Sequence, residues 1–343
     1  MIDPKIFKAY DIRGVYPQDI NEENIKEIIS AIYTFFVQEI GKKALTICLS
    51  RDMRLSSPQL FEKARETLLS LGARVIDIGL SSTPTLYFAV SNLRADAGIQ
   101  ITASHNPSQY NGLKIVKKTE NGLTKIGKST GMEKIKDIAV SGDYVKEMDG
   151  GQIENIENIV KKEVANAITV TQADNLKPLK AVADTANAMG ALYLYELFNT
   201  IKGDLIKLNF ELDGNFPAHE ADPLKLETLK ELQAKVISEN AQLGIATDGD
   251  ADRTFFVDEK GQIIPSSLIT SLAIREFLKN NPGETVICDI RYLLNAKKVT
   301  VDNGGKLIIS KVGHAFITEL SAQENAIFAG ESSGHYFFRA TGF

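Results

Sequence analysis

This 343-residue sequence is short of several things. It has two cysteines, Cys48 and Cys288, and both lie in apolar runs. They read as small buried thiols, which leaves out a disulfide framework and a cysteine metal cluster. It has no basic excess: the formal net charge is −5, and no basic run or aromatic-basic ladder offsets it. That argues against a general nucleic-acid binder. No apolar run is long enough to span a bilayer, and the first residues carry no signal-peptide pattern. The expectation is a cytoplasmic protein without a membrane or nucleic-acid partner.

An apolar fraction of 43% and a charged fraction of 24% are ordinary for a globular chain. The length allows two or three domains, each with its own core. Apolar spacing predicts helices over 21–40, 58–71, 153–167, 190–201, 223–239, 266–278 and 314–323, and a short one from Thr83. Strands are expected over 45–49, 74–78, 97–101, 179–183, 205–209, 243–246, 285–288 and 306–309. This alternation with short connections gives an α/β class: three consecutive α/β domains, each a mixed sheet covered by helices. The expected divisions are 1–150, 151–254 and 255–343, with an active site in the shared cleft.

Four stretches carry chemistry. Residues 102–114 follow a buried strand and turn abruptly small and polar, with Ser104, His105 and Lys114. Loops at strand ends are where α/β proteins keep their sites, so Ser104 is a candidate nucleophile or phosphoryl carrier. A turn in which Ser104 and Asn106 cap backbone groups is the plain alternative. Residues 8–14 place Arg13 before Gly14, either a surface charge or an anion clamp on an N-terminal loop. In 247–253, Asp248, Asp250 and Asp252 alternate with small residues. Carboxylates turned to one side need a cation, and three without histidine or cysteine favour a hard ion, Mg²⁺ or Ca²⁺. A calcium loop is disfavoured because Arg253 stands where that motif needs glycine and a strand precedes it. A solvated acidic turn is the other reading. In 330–335, Glu331 and His335, together with two glycines, suit sugar hydroxyls, and also suit an ordinary turn. Arg13, Arg253, Arg291 and Lys114 would bind a phosphorylated substrate if they converged.

Taken together, Tyr10-Asp-Ile-Arg-Gly14, Thr102-Ala-Ser-His-Asn-Pro107 with Asn111-Gly-Leu-Lys114, Asp248-Gly-Asp-Ala-Asp-Arg253 and Gly330-Glu-Ser-Ser-Gly-His335 resemble the α-D-phosphohexomutase superfamily, in its phosphomannomutase/phosphoglucomutase branch. The motifs occur in the family's order across nearly the whole chain. The resemblance implies a phosphoserine at Ser104, and Mg²⁺ held by Asp248, Asp250, Asp252 and the Ser104 phosphate. It implies sugar hydroxyls on Glu331, Ser333 and His335. Arg13 and Lys114 would lie near the phosphoserine, with Arg253, Arg291 and His314 lining the cleft. The implied reaction interconverts hexose 1- and 6-phosphates of mannose or glucose through a hexose 1,6-bisphosphate, which also serves as activator. The general base stays open between His105 and Lys114, and His105 could instead only orient the serine. Phosphoglucosamine is an alternative substrate, and the oligomeric state is open. The family carries a fourth, phosphate-gripping domain, and this chain ends before it. The expectation is therefore impaired turnover for residues 1–343, with a non-catalytic sugar-phosphate or metal-binding fragment as the other reading.

Overall fold

The computed structural model describes residues 2–120, 122–173 and 176–342. The first part runs β1 (Ile12–Val15), α1 (Asn24–Ile40), β2 (Thr46–Arg51), α2 (Ser57–Ser70), β3 (Arg74–Leu80), α3 (Thr83–Asn92), β4 (Ala97–Ile101), β5 (Tyr110–Thr119), β6 (Gly122–Lys125), α4 (Glu133–Ser141) and β7 (Gln152–Asn155). Its sheet has the order β1-β5-β4-β2-β3-β7, with β6 beside β5. The pairs among β4, β2, β3 and β7 are parallel, and β5 runs antiparallel to β4 and β1. The second part is α5 (Ile159–Thr171), β8 (Leu179–Asp184), α6 (Gly190–Thr200), β9 (Gly203–Leu208), α7 (Lys230–Ser238), β10 (Leu243–Thr247), β11 (Thr254–Asp258) and β12 (Ile263–Ile264), in sheet order β12-β11-β10-β8-β9. The third is α8 (Ser266–Asn280), β13 (Thr285–Asp289), α9 (Leu293–Asp302), β14 (Lys306–Ser310), α10 (His314–Gln323), β15 (Phe328–Gly330) and β16 (Tyr336–Phe338), ordered β14-β13-β15-β16. Each sheet is mixed and helix-covered, as the sequence predicts.

The central strands of the first sheet are buried on both faces. On one side α1 commits Ile25, Ile28, Ile29, Ile32 and Phe36, all fully buried, each contributing about 1.5–3 kcal/mol. On the other side α3 supplies Leu86, Phe88 and Val90. β4 sits between β2 and β5, and every one of its residues is buried. Cys48 and Cys288 are free buried thiols in separate sheets. Burial pushes the Cys288 thiol up to about 11. Among the described residues no helix is long and apolar enough to cross a membrane.

The structure departs from the sequence reading in specific places. The strand β7 occupies part of the helix expected over 153–167, and α5 starts only at Ile159. β7 is a largely exposed edge strand on β3, so it carries no apolar run to betray it. The second sheet keeps β11 and β12, past the division expected at 254. The first sheet likewise keeps β7, past 150. Lys114 stands in β5, not in a loop, and the polar connection after β4 is only 102–109. Arg13 stands in β1, pinned antiparallel to Gly112, not in an N-terminal loop. The helix expected over 223–239 is a short 3₁₀ turn, Leu226–Leu229, leading into α7.

Where α5 meets α3, Glu163 is buried and accepts a 2.6 Å hydrogen bond from Thr85 Oγ1. Burial raises its carboxyl from 4.5 to about 7. The folded state therefore holds this proton after the unfolded chain has released it. The resulting stability is complete below pH 4.5 and is lost as pH rises through about 7, a change of about 3 kcal/mol. Glu163→Gln removes it, so thermal midpoints of variant and parent should diverge between pH 5 and pH 8 in favour of the variant. Parallel curves would contradict this.

Candidate active site

The three sheets aim their strand ends into one cleft. β4 delivers residues 102–109, β10 delivers 248–253, and β15 delivers 331–335. Ser104 is buried and stands at φ +49°, a left-handed conformation uncommon for a side chain other than glycine or asparagine. Its amide donates to Thr102 Oγ1 at 2.9 Å. Its hydroxyl donates to Asp248 Oδ2 at 2.9 Å, joining the first sheet's loop to the second's. His105 Nδ1 lies 3.3 Å from the same hydroxyl. Burial, and then the nearby Arg253 charge, lower His105 to about 4, so its imidazole is neutral at neutral pH. Arg13 Nη1 donates to Asn106 Oδ1 at 2.6 Å and pairs with Asp11.

The approach of the two loops is backbone to backbone. A Cβ on Gly249 would fall 2.2 Å from the Ser104 carbonyl oxygen. Gly249 is further fixed by its amide donating to Ala221 O and its carbonyl accepting from Met189 N.

Asp248, Asp250 and Asp252 each offer an oxygen, all within 4.8 Å of one another. Burial first, then the neighbouring Asp250 and Asp252, push the Asp248 carboxyl up to about 8. Asp250 Oδ2 accepts from Thr83 Oγ1 at 2.5 Å at the start of α3, while its Oδ1 is buried without a hydrogen-bond partner. Mutual repulsion, an orphaned buried oxygen and an all-carboxylate donor set fit a hard divalent cation. Here Lys114 Nζ supplies the counter-charge, 2.6 Å from Asp250 and 2.5 Å from Asp252. Burial opposes the lysine charge, but the two carboxylates outweigh it and hold the ammonium above the ordinary lysine range.

Asp252 also connects to the third sheet, with Oδ1 3.2 Å from His335 Nε2. His335 Nδ1 lies 2.8 Å from Glu331 Oε2, which also accepts from Ser333 Oγ at 2.7 Å. Glu331 Oε1 accepts from the Gly313 amide at 2.9 Å, at the head of α10. Burial works against the His335 cation, but Asp252 and Glu331 outweigh it and raise its pKa. His314 packs 5.1 Å from the Tyr10 ring and 5.8 Å from His335. Burial and the Lys125 charge hold it well below the usual histidine range. Arg253 Nε sits 3.5 Å from His335 Nε2, and its Nη1 is buried, ion-paired with Asp222 Oδ1 at 3.6 Å but without a hydrogen bond. Arg13 Nε is likewise a buried donor without one. Buried guanidinium donors left without a hydrogen bond suit an incoming anion.

Ser104, His105, Arg13, Lys114, the three aspartates, Arg253, Glu331, Ser333, His335 and His314 are thus linked in one region. Arg291 is more peripheral: its side chain is 49% exposed and it reaches the cleft only through Asp289, 3.3 Å away. Asp289, which the sequence reading passed over, accepts from the Ser332 amide and hydroxyl at 2.8 and 2.7 Å and so fixes the 331–335 turn. Also passed over were Thr83, Arg54 and Lys125. Lys125 is buried 4.7 Å from both the Tyr87 and Phe337 ring centres. Burial lowers it to about 8. Arg51 and Arg54 stand together in the polar stretch 50–58, the one sequence signal for Arg54; Lys125 has none.

Comparison with known proteins bears on this geometry. The α/β/α domains I, II and III of phosphoglucomutase/phosphomannomutase match residues 4–145, 156–261 and 265–342. The chain is 38% identical over 340 residues to the phosphomannomutase of Escherichia coli K12, covering 97% of this chain and 72% of that protein. It is 33% identical over 336 residues to the phosphomannomutase/phosphoglucomutase of Pseudomonas aeruginosa PAO1, covering 97% and 69%. The crystal structure of a phosphoglucomutase/phosphomannomutase family protein from Burkholderia thailandensis superposes with a TM-score of 0.89 at 31% identity, over 99% of this chain and 73% of that one. The chain therefore belongs to the phosphoglucomutase/phosphomannomutase family of the α-D-phosphohexomutase superfamily and is a mutase, an intramolecular phosphotransferase of the isomerase class.

Proposed function

We propose that this mutase interconverts the 1- and 6-phosphates of mannose and glucose, with Ser104 as phosphoryl carrier and a hexose 1,6-bisphosphate as intermediate and activator. The observation that carries the reading is the Ser104 hydroxyl, held 2.9 Å from Asp248 within the cleft that the three sheets share. Residues 1–150 supply the carrier, 151–254 the acidic loop and 255–343 the sugar loop. In the first half-reaction the free hydroxyl oxygen of a hexose phosphate attacks phosphorus, and the bond from phosphorus to Ser104 Oγ breaks. The sugar proton leaves to a base, and the serine oxygen gains one. The bisphosphate then turns round, and its other phosphate returns to Ser104 by the reverse transfer.

Most of the work is positioning and charge stabilisation. The buried Arg13 and Arg253 donors meet phosphate oxygens as negative charge spreads over them. Glu331, Ser333 and His335 orient the sugar hydroxyls, with His314 and Arg291 lining the approach. His105, neutral and 3.3 Å from Ser104 Oγ, can hold the serine proton or orient the oxygen. Lys114 is held as a cation by two carboxylates, which suits charge stabilisation better than proton abstraction. Asp248, Asp250 and Asp252, with a phosphate oxygen on Ser104, would hold Mg²⁺. Bound there, the ion would polarise the phosphoryl oxygens.

The test of the carrier is direct. The protein is incubated with glucose 1,6-bisphosphate and Mg²⁺, digested, and read by mass spectrometry. One added phosphate on the Ser104 peptide is expected; phosphate confined to other peptides would overturn the reading. For the metal, titration calorimetry of Asp250→Asn should show Mg²⁺ affinity at least about tenfold weaker than the parent's. Unchanged affinity would remove Asp250 from the ligand set.

A further inference from the structure

Arg54 is the largest fully buried side chain of the protein's described residues. It lies in the connection between β2 and α2, outside every motif that marks the site. Both of its terminal nitrogens are spent on main-chain carbonyls. Nη2 donates to the carbonyls of Ser104 at 2.8 Å and Asn106 at 2.6 Å. Nη1 donates to the carbonyls of Pro107 at 2.7 Å and Tyr110 at 3.0 Å. Nε is ion-paired with Asp52 Oδ2 at 3.2 Å without forming a hydrogen bond to it. Asp52 is itself fully buried and held by the Ser57 hydroxyl and the Arg54 amide. One planar cation thus gathers four carbonyls from both limbs of the 102–110 connection.

The guanidinium is also covered from the second sheet's side. The Phe216 ring lies 5.1 Å from its centre, on the loop after β9. A Cβ on the neighbouring Gly214 would meet the Arg54 Cα at 2.8 Å. Arg54 therefore touches both halves of the contact across which Ser104 meets Asp248.

We propose that Arg54 is the positioning residue that presents Ser104 for phosphoryl transfer, with Phe216 registering whether the second domain is seated. This rests on the reading of Ser104 as carrier. The physical reason is the Ser104 backbone. At φ +49° it is held against its own preference. The bond from Arg54 Nη2 to its carbonyl fixes the peptide plane that follows. Released, the residue relaxes toward negative φ and swings Oγ away from Asp248. A displacement on the order of 1 Å at a reacting centre is enough to cost about 100-fold in rate. Lysine cannot substitute, because a single ammonium cannot span four carbonyls that a rigid fork reaches.

The experiment compares the 343-residue chain with Arg54→Lys, Arg54→Ala and Phe216→Leu. Ser104 phosphorylation by glucose 1,6-bisphosphate is timed by mass spectrometry. Folding is followed by near-ultraviolet circular dichroism and thermal midpoint, and Mg²⁺ affinity by calorimetry. For Arg54→Lys the expected result is phosphorylation slowed about 100-fold, with Mg²⁺ affinity and bisphosphate half-saturation near parental. Millimolar guanidinium ion should restore Arg54→Ala at least about tenfold, and ammonium should not. A folded Arg54→Lys labelled at the parental rate would overturn the proposal. Restoration of Arg54→Ala by ammonium as well as by guanidinium would also overturn it. If both Arg54 variants fail to fold, Phe216→Leu decides: slower labelling on an unchanged fold supports the role, and parental labelling defeats it. Absence of Ser104 label in the parent would sink the carrier reading and this inference together, whereas a labelled parent matched by Arg54→Lys would sink the inference alone.

Discussion

Ser104→Ala should turn over hexose phosphate at least about 1,000-fold more slowly than the parent while remaining folded. No other described hydroxyl stands in the same place. Thr102 Oγ1 is occupied by the Ser104 amide, and Ser333 Oγ by Glu331. The substitution also removes the bond to Asp248 Oδ2, though the Arg253 amide still donates to Asp248 Oδ1 at 3.1 Å. A stability loss of about 1 kcal/mol is therefore expected. Ser104→Gly separates the two effects, because glycine tolerates the positive φ. It should be as inactive as the alanine variant. Steady-state assays with mannose 1-phosphate and glucose 1-phosphate check both. Substantial turnover by either variant would show that the carrier lies elsewhere.

The second large effect is on stability. Lys114→Met leaves three buried carboxylates facing one another without the ammonium that binds two of them. Breaking a buried pair in this way costs about 3–5 kcal/mol. A divalent cation repairs the deficit, since a ligand at 100 times its Kd adds about 2.7 kcal/mol. In EDTA the variant should melt well below the parent. Added Mg²⁺ should raise its midpoint by more than it raises the parent's. Equal melting in EDTA and an equal Mg²⁺ shift would mean that Lys114 is not the counter-charge of the acidic loop.

Why these residues were legible, and others not, follows from what each signal depends on. Helices such as α1 and α8 declare themselves through spacing, because one face must be apolar wherever the rest of the chain lies. The acidic loop was readable because three carboxylates within five residues repel one another unless a cation joins them. β5 was not readable as a strand. Its opening residues, Asn111, Gly112 and Lys114, look like loop composition. Asn111 and Lys114 find their partners, Ser56, Ser57, Asp250 and Asp252, across the fold, and Gly112 lies against the Ile12 backbone. Arg13 was misplaced for the same reason: a strand of four residues pairing with β5 has no periodicity of its own. Arg54 shows the limit most plainly. A buried arginine whose partners are carbonyl oxygens has no complementary residue type to search for, since every residue has a carbonyl. The family motifs point to the candidate site groups, while of the supports beneath them Thr83 and Asp289 carry no sequence signal of their own and Arg54 only the arginine pair in 50–58.

The bare contact at Gly249 gives the cleft a fixed gauge. With no side chain between it and the Ser104 carbonyl, the distance between Ser104 and the acidic loop is set by two main chains. In a saturation scan selecting for mutase activity, position 249 should therefore read as an empty column, with alanine as damaging as leucine. Even one methyl would wedge the loops apart and separate the hydroxyl from the carboxylates. Loss there would come without any change in charge, and from a residue that takes no chemical part in the reaction.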